Sequence, residues 1–335
     1  MTQPTEIKAF LIKHIANHPR NIVAFAAGTL NVTRTTIHRH LNALIKQKKI
    51  IRSGTTKQAH YYLTSERDRR FTLKIATELT EEDVWMKHLN SEFKDLSVHA
   101  QEILHYGFTE IFNNVLDHAF AKNVIVSLDW NDETAHLTVQ DDGIGVFERL
   151  NLVFHFQDYR ESLLHLTKGK LTTDPINHTG EGLFFTSRVF DNFCLIANGL
   201  RFFRNNQESD WTVESVSQEK GTKVIMELNT RIARKISDVF NKYTDDFEFN
   251  KTDLLVNLSQ LAGERLISRS QAKRLFARLE PFTQVTLDFN HVLSVGQGFV
   301  DEVFRVYPSK NPQVKINYIN ANDDVIFMIK RSLPK

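Results

Sequence analysis

Along the first 65 residues the apolar positions recur with a helical period. In IKAFLIKHIANHP, Ile7, Phe10, Leu11, Ile15 and Ala16 share one stripe, and Pro19 and Asn21 punctuate it. NIVAFAAGTL is a second short apolar segment ending near Gly28. Thr33 offers an N-cap to a third helix, in which Ile37, Leu41, Leu44 and Ile45 keep helical spacing. The opposite face of that helix carries Arg34, Thr35, Thr36, His38, Arg39 and His40. After Lys49 the period drops to two, and IIRSGTTKQAHYYL reads as two short strands around a Ser-Gly-Thr-Thr turn.

The pattern then breaks at SERDRRFTL (65–73), a charged junction expected to link two domains. TEEDVWMKHLNSEFKD begins with threonine followed by acids, a helix start. VHAQEILHYGFTEIFNNVLDHA is a long helix whose stripe is Ile103, Leu104, Phe108, Ile111, Phe112, Val115 and Leu116. Glu110, Asn114 and His118 stand at i, i+4 and i+8, which lines three polar groups along one side. KNVIVSLDWNDETAHLTVQDDGIGVF reads as strand, turn, strand, with alternation at Val124, Val126 and Leu128 and again at Leu137 and Val139. It ends in VQDDGIGVF, which by itself fits a hairpin turn, a metal loop or a nucleotide site. A calcium loop requires several alternating oxygen ligands, whereas apolar Ile144 and Val146 follow the acids here. Gly180 and Gly182 precede another apolar helical stretch, and Gly221-Thr222 leads into a last strand of this region.

Beyond residue 230 strands and helices alternate, as in a small α/β layer. RIARKISDVFNKYTDDFEFNK is expected to be a polar helical connector. SRSQAKRLFARLEPF is a helix starting near Ser268 or Ser270, and TQVTLDF a strand. GQGFVDEVFRVYP is a helix ended by Pro308, VKINYIN a strand, and NDDVIFMIKRSL a last helix.

Composition narrows the class. The 335 residues are 41% hydrophobic and 24% charged, enough apolar material for two or three cores and against disorder. No apolar run reaches the ~20 residues of a membrane helix, and charges interrupt the N-terminal segment, so a membrane anchor and a signal peptide are not expected. A single cysteine, Cys194, excludes an internal disulfide framework and points to a cytoplasmic location. Net charge is +2 but uneven: residues 1–70 hold 13 Lys/Arg against 3 Asp/Glu. Such a basic end suggests an anionic partner.

Three helices followed by a basic hairpin resemble the winged helix-turn-helix of bacterial transcription regulators. The resemblance implies a mostly α domain over 1–65, with DNA contacts from Arg34, Thr35, Thr36, His38 and Arg39 on the third helix and Lys57 in the wing. Lys46, Lys48, Lys49 and Arg52 add phosphate-directed charge.

EIFNNVLDHA, the Asp-x-Gly-x-Gly of Asp141, Gly143 and Gly145, HTGEGLFFTSRVFD and Gly221-Thr222, in that order, resemble the four boxes of GHKL (histidine kinase-like) ATPases over 75–230. The fold implied is an α/β sandwich, a mixed antiparallel sheet with helices on one face. ATP and Mg²⁺ are the implied cofactors. By resemblance Asn114 binds the metal, Glu110 orients or deprotonates an attacking water or hydroxyl, and Asp141 accepts from the adenine amino group. Gly143, Gly145, Gly180 and Gly182 pass close to the nucleotide, and Thr222 supports Asp141 through its hydroxyl or a bridging water. His118 is expected in a supporting or packing role. The segment between the glycine boxes corresponds to the family's mobile lid, where Lys168 and Lys170 either reach phosphates or are solvated. His178 stands where the family has its usual first glycine, Asp142 stands where Asn is common, and no phosphoacceptor-histidine hairpin precedes the helix.

LDFNHVLSVGQGFVDEVF resembles the STAS-like domain of unknown function found with such ATPases, implying a small α/β STAS-like domain over 245–335. The serine phosphorylated in related anti-anti-sigma factors falls at Gln297, with Ser294 out of register. Docking to a partner protein, or homodimerisation, is therefore expected of it rather than phosphorylation. The combined expectation is an ATP-responsive DNA-binding regulator. Its alternatives are an anti-sigma-type serine/threonine protein kinase and an ATPase switch in a stress or defence complex.

Overall fold

A computed structural model of the protein describes residues 4–15, 18–19, 21–47, 49–53, 60–63, 67–131, 133–174, 179–259 and 266–332. Two compact units emerge: Met1–Arg69 with Leu128–Asp132, and Arg70–Ser127 with Glu133–Lys335. Apart from 128–132, the parts expected as domains over 75–230 and 245–335 fall in the second unit.

In the first unit α1 (Pro4–His14), α2 (Ile22–Leu30) and α3 (Arg34–Lys46) precede β1 (Ile50–Ser53) and β2 (His60–Leu63). The helices close on Ile7, Leu11, Ile15, Ile22, Ala26, Ile37, Leu41 and Leu44, joined by Ile50 and Tyr61. Thr33 caps α3 by accepting from the Thr36 N–H at 3.2 Å. β1 and β2 pair antiparallel, Ile50 opposite Leu63. Two expectations change. α2 runs through Gly28 to Leu30, where Asn31 at φ 51° ends it. His40 joins the buried side of α3, where burial and the neighbouring Arg39 and Lys8 lower its pKa.

The second unit begins within β3 (Arg67–Lys74), followed by α4 (Glu81–Val84) running into a π turn at Trp85–Leu89, and α5 (Val98–His118). Then come β4 (Asn123–Trp130), β5 (Thr134–Asp141), α6 (Val146–Phe154), α7 (Tyr159–Lys168), α8 (Gly182–Val189), β6 (Asn192–Ala197), β7 (Leu200–Asn205), β8 (Asp210–Ser215) and β9 (Thr222–Asn229). The strands form a seven-stranded sheet in the order β3-β4-β5-β9-β6-β7-β8. The β5–β9, β9–β6, β6–β7 and β7–β8 pairs are antiparallel. Alternate residues of β4 and β5 are buried, and Asp141 is in phase with Ala135, Leu137 and Val139. Period two therefore carries a carboxylate into the apolar face. α5 packs its stripe onto β5 and β9. The two units divide between Arg69 and Arg70, inside the charged junction, whose described part is drawn into edge strand β3. An edge tolerates exposed Arg69 and Arg70 because one side of its ladder faces no other strand among the described residues.

The connector after residue 230 is helical only at α9 (Ile236–Tyr243), and a tight ribbon of β10 (Thr244–Asp245) and β11 (Glu248–Phe249) follows. Asp246 and Phe247 turn it, both left-handed at φ 49° and 65°. The remaining elements are β12 (Lys251–Leu255), α10 (Arg269–Phe276), β13 (Gln284–Asp288), α11 (Gln297–Asp301), α12 (Tyr307–Lys310), β14 (Lys315–Ile319) and α13 (Asp323–Ser332). β12, β13 and β14 make a parallel three-stranded sheet. Pro308 does not end its helix. A π turn at Glu302–Val306 separates α11 from α12, and Pro308 sits in the first turn of α12, where a missing N–H costs little.

These layers share buried polar contacts. Trp211 donates from Nε1 to Asp288 at 3.1 Å, and Asn290 donates to Asp210 at 2.7 Å. Asp288 also accepts from the Asn290 N–H and from Asn320.

Candidate functional site

β5 ends in Asp141, whose carboxylate is buried. One oxygen accepts from the Gly143 N–H at 2.8 Å and the other from the Thr222 N–H at 3.2 Å. Burial raises its pKa, the two N–H bonds oppose the rise, and the Asp142 charge adds to it. The turn admits no side chain at two places. A Cβ on Gly143 would strike the Ala119 carbonyl, and Gly221, at φ 77°, has the Asp141 carbonyl in the same position.

Asp141 opens into a cavity that gathers residues far apart in sequence. Glu110, Asn114 and His118 line it from α5, Gly145, Val146 and Arg149 from the start of α6, and Thr222 and Val224 from β9. Thr179, Gly180 and Gly182 complete it. Seven of the eight nucleotide-site residues named from sequence thus meet, and Gly143 sits behind Asp141. The Glu110 carboxylate abuts Gly182 so closely that a Cβ there would displace it. His118 Nδ1 lies 3.4 Å from the Thr173 hydroxyl.

Thr222 bonds Asp141 directly through its backbone N–H. The Thr222 hydroxyl does not reach Asp141. It accepts from the Val146 N–H at 3.0 Å, satisfying one of the orphan donors at the start of α6. Asp142 serves a separate purpose, accepting from the Lys122 N–H at 2.7 Å and from the Asn123 N–H and side-chain amide at 2.9 and 2.8 Å. Bonds from Asn123 hold its pKa down at about 2. Asp142 therefore ties the entry of β4 beside the turn. Asn198, not singled out from sequence, braces the same loop, donating to the Ile144 carbonyl at 2.9 Å and accepting from the Glu148 N–H. Asn198-Gly199 is a visible turn signal, but its partners lie about fifty residues away.

The segment between the glycine boxes, expected as a mobile lid, consists largely of α6 and α7. Pro175–His178, including His178, lie outside the described residues. α7 packs against β12. Its Lys168 is neither solvated nor in the cavity: it is 1% exposed, and Nζ donates to the Ala277 carbonyl at 2.8 Å. Burial lowers its pKa to about 7. Thr252 donates to the Lys168 carbonyl at 2.7 Å, satisfying the end of α7. Lys170 stands over Phe249 and Phe282, with Nζ 5.5 and 5.6 Å from the ring centroids.

In the first unit Arg34, Thr35, His38 and Arg39 are exposed on α3. Thr36 is half-buried, its hydroxyl 2.9 Å from that of Thr33 in the cap. Lys48 and Lys57 lie outside the described residues.

Residues 271–325, which hold β13 and β14 of the parallel layer with α11 and α12, match a known family model, the STAS-like domain of unknown function (DUF4325). This segment is a STAS-like domain. Its Gln297 opens α11 behind Gly296, and Ser294 is exposed just before it. Comparison with curated proteins gave no match. Among solved structures, an IcIR transcriptional regulator from Alicyclobacillus acidocaldarius is similar at 12% identity, covering 71% of this chain and 94% of its own, with a TM-score of 0.17. A likeness that low carries no argument about fold or function. No helix among the described residues is long and apolar enough to cross a membrane.

Proposed function

We propose that the cavity of the second unit is a GHKL-type site for Mg-ATP and that the first unit is a winged helix-turn-helix that binds DNA. ATP binding or slow hydrolysis would then regulate DNA binding, with the STAS-like domain docking a partner protein. The observation that carries this reading is Asp141. It is a buried carboxylate held by two backbone N–H groups, at a cavity that Glu110, Asn114 and two glycines also line. A carboxylate so held keeps acceptor capacity for an exocyclic amine. Val139, Leu195 and Val224 supply apolar walls for a planar base.

Magnesium fits the donor chemistry. No cluster of three or more His, Cys, Asp or Glu suited to a metal occurs among the described residues. Mg²⁺ typically takes one or two protein oxygens together with substrate phosphates and water. Asn114 would supply the protein oxygen, and the ion would neutralise phosphate charge. Glu110, one turn before it on α5, is placed to orient a water or hydroxyl and take its proton. Its carboxylate against Gly182 keeps that group beside the N-terminus of α8, where N–H groups favour phosphate.

Turnover, nucleotide affinity and DNA affinity test the reading. Glu110→Ala should reduce ATP turnover by roughly 10²- to 10⁴-fold, the usual range for a general base, with Mg-ATP affinity nearly unchanged. Asn114→Ala should weaken Mg-ATP binding itself. Failure of the native protein to bind Mg-ATP or Mg-ADP in calorimetry would end the nucleotide reading. For the first unit, DNA binding should weaken steeply with salt, and Arg34→Ala with Arg39→Ala should lower both the affinity and the salt slope. DNA affinity unaffected by both substitutions would leave α3 without a role in binding.

A further inference from the structure

The cavity is lined by two carboxylates, Glu110 and Asp141, while Arg149 is the one lysine or arginine among its described lining residues. The two lysines of the neighbouring segment are engaged elsewhere, Lys168 on the Ala277 carbonyl and Lys170 over the rings of Phe249 and Phe282. Arg149 stands one turn into α6, its N–H bonded to the Gly145 carbonyl at 3.0 Å, so the glycine turn that frames Asp141 also places this cation. Its guanidinium carbon lies 4.8 Å over the ring of Phe120. Its Nε is buried with no hydrogen-bond partner among the described residues.

Phe120 adds a second observation. It directly follows the Glu110–His118 helix and Ala119, it is 66% exposed, and it stands at φ 52°. A bulky residue in the left-handed region is disfavoured, so its placement needs a reason. An aromatic face stabilises a guanidinium and restricts its motion without neutralising it. The charge stays available to an anion in the cavity, and the planar fork is suited to two phosphate oxygens at once.

We infer that Arg149 binds the phosphate chain of the nucleotide, with Phe120 as the residue that positions it. This deepens the nucleotide reading and rests on it. A polyanion entering a cavity with two carboxylates requires countercharge beyond one metal ion, and Arg149 is the side chain in place to supply it.

The test is calorimetric affinity of the full chain for Mg-ATP, Mg-ADP and adenosine. Arg149→Gln should weaken Mg-ATP and Mg-ADP about 10- to 100-fold and leave adenosine within about twofold, the range for losing a charge-assisted bond. Arg149→Lys should recover part of the loss, because it restores charge without the fork. Phe120→Ala should give a smaller loss with the same indifference to adenosine. Native-like Mg-ATP binding by Arg149→Gln overturns the inference. An equal loss of adenosine also overturns it, since the residue would then be shaping the pocket. Native-like Mg-ATP binding by Phe120→Ala removes the platform's role. A native protein that binds neither adenosine nor Mg-ATP is a different result and overturns the nucleotide reading itself.

Discussion

Asp141→Asn should lower Mg-ATP affinity by about 100-fold or more, measured by calorimetry on the full chain. The carboxylate receives the N–H groups of Gly143 and Thr222 on separate oxygens. An asparagine has one acceptor atom, so its NH₂ must face one of those two donors. It also loses the negative acceptor that an exocyclic amine would meet. A hydrogen bond to a charged group is worth about 1.5–3 kcal/mol, and a donor-against-donor contact adds to the loss. About 2.7 kcal/mol is a hundredfold in affinity. The variant should keep its secondary structure, because β5, β9 and α5 are held by apolar burial. Binding within about threefold of the native protein would show that Asp141 does not read the ligand.

Lys168→Met should stabilise the second unit by a few kcal/mol near pH 6 and flatten its pH dependence above neutrality. The amine is fully buried and its pKa is lowered to about 7 by that burial. Glu161 and Glu280 oppose the shift, Arg278 adds to it, and His165, whose own pKa is pushed down to about 2, stands beside it uncharged. Below pH 7 both folded and unfolded chains carry the proton, and the folded state bears the whole cost of a buried charge. Between about pH 7 and the ordinary lysine value of about 10.4 the unfolded chain binds more protons, so stability rises with pH. Methionine keeps most of the apolar stem and discards the charge. Its loss is the bond to the Ala277 carbonyl, about 1 kcal/mol. Urea denaturation at pH 6, 8 and 9.5 reads this directly. Parallel pH profiles for the native and Lys168→Met proteins would mean the amine is not buried as a cation.

Much of the architecture was legible because it is local. Helical stripes, period-two alternation and capping residues such as Thr33, Thr80 and Ser268 act over a few residues, and they mark α3, α4 and α10. The site was legible in the same way. Glu110, Asn114 and His118 share a helix side by their spacing alone, and the alternation of Leu137 and Val139 already carried Asp141 onto the buried face of β5.

What failed was decided by partners distant along the chain. A run of charges marks the junction between the units, but that its described part pairs as the edge strand β3 was not legible. The sequence set Asp142 apart from Asp141 but left its role open, and only the arrival of Lys122 and Asn123 beside it makes it a clamp. Lys168 reads as a reaching or solvated loop lysine because the carbonyl that accepts from its amine is not in its own segment. That acceptor is Ala277, more than a hundred residues later. By itself the sequence determined which segments form elements and which polar groups each element offers. Only the tertiary structure decided which of those groups face the cavity and which are spent in holding it, because burial and hydrogen-bond partnership are set by segments that meet only when the chain folds.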